Sequence, residues 1–151
     1  MKAVEWLTLL TKAEVTLSGG KALGLWQAHR AGVRTPSTLV VFPNAGETDL
    51  REHINATDLL GRVAVRSSGL AEDGAKASFA GQHLTKLNVI RRDTWAAVEE
   101  VRASAGQSKA YADAVGVEHS MAMPVLVQEM IYPQIAGVYL GMDVTGQGPA
   151  F

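Results

Sequence analysis

An α+β lobe, with a mixed or mostly antiparallel sheet and helices packed on one face, is what this sequence predicts. Two observations carry that expectation. Five β-rich runs, 39–42, 63–66, 83–89, 124–131 and 135–144, alternate with helical stretches irregularly, without the steady strand–helix rhythm of a parallel sheet. The 151 residues, 47% apolar and 19% charged, fit one domain spanning 1–151, long enough to bury a core.

Taken in order, Trp6 to Ala13 is expected as a short helix, and Val15 to Lys21 as an extended run that turns on Gly19 and Gly20. Good helix formers fill Ala22 to Ala31, with Leu25, Ala28 and Gly32 on one side, and Gly32 supplies a stop. Lys21 therefore stands where a helix begins, and free N–H groups with the helix dipole favour an anion there. A glycine turn with a solvated lysine is the plainer reading, since the spaced leading glycine and following Ser or Thr of a Walker loop are missing. Leu39 to Phe42 is a strand that Pro43 ends, and Thr48 to Asn55 a helix with Leu50, His53 and Ile54 on one face.

The stretch from Val63 to Val89 holds the densest chemistry. A buried strand, Val63-Ala64-Val65, runs into Arg66, Ser67 and Ser68, then into an acidic small-residue loop, and Gly81-Gln82 leads into a second extended run. Arg66 can offer its planar fork of donors to one phosphate, with serine hydroxyls and backbone N–H groups beside it; equally, it can pair with Glu72 or Asp73 in a surface loop. Within His83 to Val89, Thr85, Leu87 and Val89 are expected to share a face. Asp93 caps a helix over 94–105 that Gly106 ends, and a second helix follows over 108–115. Trp95 and Tyr111 read as packing residues.

Composition excludes several functions. The net charge is −1, from 14 basic and 15 acidic residues spread along the chain, which argues against a nucleic-acid or anionic-membrane partner. There are no cysteines, so disulfides and thiolate chemistry are out, and His29, His53, His83 and His119 lack metal-ligand spacing. The opening MKAVEWLTLLTKAE has acidic residues among short apolar runs and does not read as a signal peptide, which leads to the expectation of a cytoplasmic protein.

The residues around Arg66 resemble the N-terminal nucleotide-binding part of the pyruvate phosphate dikinase, phosphoenolpyruvate synthase and rifampicin phosphotransferase family. The family signature reads approximately V-R-S-S-A-T-A-E-D-L-P-D-A-S-F-A-G-Q. Val65 to Ser68, Ala71 to Asp73 and Ala77 to Gln82 agree with it, as do the later Thr85, Leu87 and Asn88. Gly69-Leu70 stands where the family has Ala-Thr, and Gly74-Ala75-Lys76 where it has Leu-Pro-Asp. Upstream, Gly19-Gly20-Lys21 is similar to the family's G-G-K; downstream, Val125 to Ile131 resembles its V-L-V-Q-x-M-V.

The resemblance implies the N-terminal lobe of an ATP-grasp fold that binds ATP as part of a dikinase-type phosphotransferase. It implies that Lys21 contacts ATP phosphates, that Arg66 lies among them, that Gly81 lets backbone approach a phosphate, and that Thr85 lies near the nucleotide. Gln128 falls on the hinge segment beside adenine or ribose, with a buried glutamine bonded to its neighbours as the open alternative. No residue here is assigned a catalytic or metal-ligating role: Mg²⁺ ligands, the phosphohistidine domain and the acceptor domain are expected outside this chain. On this reading the isolated chain is inactive and binds ATP weakly, on the order of high micromolar to millimolar. Its partners are ATP and a C-terminal lobe or separately encoded subunit, with self-association through apolar strands as a further expectation. The alternative is a regulatory or interaction module that keeps the fold without the chemistry.

Overall fold

A computed structural model describes residues 2–56, 59, 61–69, 84–115 and 123–137, with 105–115 as backbone only. Its centre is a five-stranded sheet in the order β1-β2-β5-β3-β4: β1 Val4–Trp6, β2 Thr38–Val41, β3 Val63–Ser67, β4 Thr85–Val89 and β5 Val125–Glu129. Every pairing is antiparallel. β2 and the first three residues of β5 are almost wholly Val and Leu because both of their faces are covered there, so they show no apolar–polar alternation.

Alternate residues of these strands build two cores. Leu39, Val41, Val63, Val65, Val125 and Val127 face α3 (Glu47–Asn55) and α4 (Thr94–Val115), which contribute Leu50, Ile54, Val98 and Val101. Val40 and Leu126, paired across β2 and β5, face the other way, onto α1 (Lys12–Thr16) and α2 (Gly20–Arg30) through Val15 and Ala22. Trp26 ties that layer together by donating from Nε1 to the Leu10 carbonyl at 3.0 Å. The helices thus divide between both faces of the sheet, while the α+β class and antiparallel pairing are as expected.

Several local expectations give way. Instead of a helix from Trp6, β1 leads into a single tight turn, Leu7–Leu9. Residues 12–16 are helical, so the run expected to be extended from Val15 begins inside a helix, because Thr11 and Glu14 close a reciprocal cap: Glu14 N donates to Thr11 Oγ1 at 3.3 Å and Thr11 N to Glu14 Oε2 at 2.8 Å. α4 runs unbroken through Gly106, since an interior glycine costs a helix only about 1 kcal/mol against alanine. Asp93 belongs to a tight turn, Arg91–Asp93, that precedes it.

β4 departs from simple alternation. Val65 pairs with Lys86 but Val63 with Val89, so β4 carries an extra residue there, and Asn88 takes φ 58°. Thr85 and Leu87 consequently face one way while Val89 turns into the α3–α4 core, contrary to the expectation that all three share a face. Residues 135–137 form no strand, and 138–144, the rest of that expected run, lie outside the described residues.

Candidate functional site

α1 and α2 cover only part of their side of the sheet. Beyond them, the same face is open over β5, β3 and β4, where Ala64, Arg66, Thr85, Leu87, Gln128 and Ile131 line a shallow pocket of about 290 Å³. Arg66 and Gln128 reach this face because they stand in the strand positions of Leu126 and Ala64: Arg66 pairs with Leu126 and Ala64 with Gln128. Thr85 is opposite Arg66 on the far strand.

The polar groups of the pocket form a directed chain. Arg66 donates from Nη1 to Gln128 Oε1 at 3.3 Å, Gln128 donates from Nε2 to Thr38 Oγ1 at 3.1 Å, and Thr38 donates to the Pro36 carbonyl at 2.9 Å. Gln128 is 6% exposed, so both ends of its amide are satisfied inside the protein while the half-buried guanidinium stays at the pocket wall. Gln128 is thus the buried glutamine bonded to its neighbours that stood as the open alternative, and it also lines the pocket. No carboxylate among the described residues forms an ion pair with Arg66; Glu72 and Asp73, and Gly81 likewise, lie outside the described residues.

Lys21 is the second residue of α2 and directs Nζ to Ser67 Oγ at 3.4 Å, so it reaches the chain neighbour of Arg66 at the end of β3. Of the four described candidates, Arg66, Thr85 and Gln128 line the pocket, whereas Lys21 does not line it and contacts Ser67, which alternates with Arg66 along β3. Ser68 is where the sequence reading missed. Its hydroxyl, 0% exposed, does not face the pocket but accepts from Ala22 N at 3.1 Å inside the first turn of α2. A serine two residues after Arg66 gives no hint of that contact, which depends on a helix residue 46 positions away in sequence.

Metal-ligand groups of three or more His, Asp or Glu are absent among the described residues, and none of their helices is long and apolar enough to cross a membrane. Lys86 and Glu100 form an ion pair at 2.5 Å between β4 and α4, on the opposite side of the sheet from the pocket.

Residues 41–150 match the family described as pyruvate phosphate dikinase, AMP/ATP-binding domain. That span contains Arg66, Gly81, Thr85 and Gln128 and begins after Lys21. Phosphoenolpyruvate synthase of Aeropyrum pernix is 28% identical over 207 residues, covering 97% of this chain and 25% of the relative. A probable phosphoenolpyruvate synthase of Staphylothermus marinus is 31% identical over 203 residues, 95% of this chain and 24% of its own length. A rifampicin phosphotransferase of a Streptomyces species is 40% identical over 93 residues, 55% of this chain and 10% of the relative. The chain spans a quarter or less of these relatives. With a family match across most of its length, the chain belongs to the pyruvate phosphate dikinase AMP/ATP-binding domain family.

Proposed function

We propose that the open sheet face is the nucleotide site and that ATP lies across it, with its phosphates toward Arg66 and Lys21 and its adenine toward Met130 and Ile131. The observation that carries this reading is the pocket itself: one guanidinium, held by Gln128 and unpaired with any described carboxylate, is set in a wall of Leu87, Met130 and Ile131. An apolar wall suits a base, and a fixed planar fork of donors suits phosphate oxygens. Thr85 adds a hydroxyl opposite Arg66. Gly81, outside the described residues, keeps the role that its place in the signature gives it.

At about 290 Å³ the pocket is at the small end for a nucleotide, so it encloses only part of ATP. Affinity for this chain alone should accordingly be weak, on the order of high micromolar to millimolar. Mg²⁺ would arrive with the nucleotide; among the described residues no cluster of three or more His, Asp or Glu stands ready to hold it. In a longer protein the site would serve an ATP-dependent phosphotransferase of the phosphoenolpyruvate synthase kind, completed by a second lobe or a separately encoded subunit.

Calorimetric titration of the chain with Mg-ATP tests the reading. Weak binding that Arg66→Ala lowers about tenfold to a hundredfold is expected; sub-micromolar binding, or binding indifferent to Arg66, overturns it. A module without catalysis is the second reading, favoured by one observation. The match to the Aeropyrum relative runs over 207 residues, more than the 151 of this chain, so the relative carries residues within the matched span that this chain lacks. Nucleotide binding without any phosphoryl transfer in the presence of the full set of partner domains would decide for it.

A further inference from the structure

The first turn of α2 and the end of β3 are locked together by a contact that only glycine permits. Gly19 has φ 89°, and a Cβ built on it would lie 2.1 Å from the Ser68 carbonyl oxygen and 2.8 Å from that of Gly69. The two backbones are thus in direct apposition. Two hydrogen bonds cross the junction: Ala22 N donates to Ser68 Oγ at 3.1 Å, and Gly20 N to the Gly69 carbonyl at 3.4 Å. Ser68 is in turn fixed to the central sheet, donating from its own N–H to the Pro124 carbonyl at 3.0 Å just before β5. Lys21 lies between Gly20 and Ala22, so the residues on either side of it are both bound to the segment that follows Arg66 and Ser67.

We propose that Gly19 and Ser68 are positioning residues that set the Lys21 ammonium against the phosphates of the bound nucleotide, and that the Ser68 hydroxyl is itself no phosphate ligand. This rests on the nucleotide reading above. A hydroxyl that is wholly buried, with its oxygen accepting from a helix N–H, has no open side on which to meet a ligand. What it does is to hold the first turn of α2, and with it Lys21, at a fixed distance from the end of β3. Without the lock, the first turn of α2 frays and Lys21 loses its place, while the pocket that takes the base is unchanged.

The test is a comparison of ATP with adenosine on the whole chain. Ser68→Ala should weaken Mg-ATP binding about five- to tenfold, the loss of one buried helix cap, with adenosine binding unaltered. Ser68→Thr, which restores the hydroxyl, should recover much of it, and Gly19→Ala should show the same ATP-selective loss. Added to Lys21→Ala, Ser68→Ala should cost nothing more, because it acts through that lysine. In the unmodified protein, exchange of the Ala22 amide should stay slow with and without ATP; this holds the inference to account even if the variants fail to fold. Ser68→Ala binding ATP as tightly as the unmodified chain while Lys21→Ala binds weakly, or an Ala22 amide that is released when ATP is added, overturns the inference alone. A chain that binds no ATP, or Lys21→Ala without effect, overturns the nucleotide reading and the inference with it.

Discussion

Arg66 and Gln128 are joined across β3 and β5 by a 3.3 Å hydrogen bond in which the guanidinium donates and the amide oxygen accepts. The amide nitrogen is committed to Thr38 at 3.1 Å, so the oxygen cannot turn away, and Arg66 is held at the pocket wall before any ligand arrives.

From this it follows that Arg66→Ala should reduce ATP affinity about tenfold to a hundredfold, the range for a charge-assisted contact. Arg66→Lys should recover only part, because an ammonium cannot reproduce a planar fork. Titration calorimetry on both variants checks it.

Gln128→Leu should act twice. It leaves Thr38 Oγ1 without its buried donor, which should lower stability by about 1–3 kcal/mol, and it frees Arg66, which should weaken ATP binding without abolishing it. Urea unfolding and nucleotide titration read the two effects separately.

Lys21→Met, which keeps the length of the side chain but removes its charge, should discriminate among nucleotides. Binding of ATP should fall about tenfold while that of adenosine holds, since only the phosphates meet the ammonium. Equal losses for both would place Lys21 elsewhere.

Leu126 is fully buried in the α1–α2 core at the strand position paired with Val40 and Arg66. Leu126→Ala should cost about 2–5 kcal/mol by chemical denaturation, the price of a cavity beneath α2.

Glu14 should make stability sensitive to acid. Hydrogen bonds from the Thr11 N–H and hydroxyl, helped by the nearby Lys2 ammonium, hold its carboxyl below the ordinary 4.5. The folded chain therefore takes up this proton less readily than the unfolded chain. The stabilisation is complete above the ordinary carboxylate range and is lost as pH falls through the depressed folded value. Melting curves of the unmodified chain and Glu14→Gln should differ at neutral pH and converge in acid.

Strands β2 and β5 were legible because burial on both faces demands Val and Leu in succession, as in Leu39 to Val41 and Val125 to Val127, and α3 because Leu50 and Ile54 fall one turn apart. Thr11-Lys12-Ala13-Glu14 carried a capping signal strong enough to announce α1, which the β-branched Val15 and Thr16 obscured. The turn of β4 was hidden for a different reason. Asn88 is held at φ 58° in a setting built by distant residues: Arg62 donates to its carbonyl and Tyr132 to its side chain. In the site, Lys21 and Arg66 could be picked out by motif, whereas the work of Ser68 depends on Gly19 lying against it, a contact that no local pattern encodes.

The strand order has a consequence for how the chain assembles during synthesis. β1–β2 and β3–β4 can each pair as soon as they emerge, but they share no edge: β5, the last strand of the five in sequence, is the piece that lies between them. Until the ribosome has extended the polypeptide past Glu129, the nascent protein is two separate ribbons with bare inner margins, and those margins are where premature association with a neighbouring nascent chain would begin.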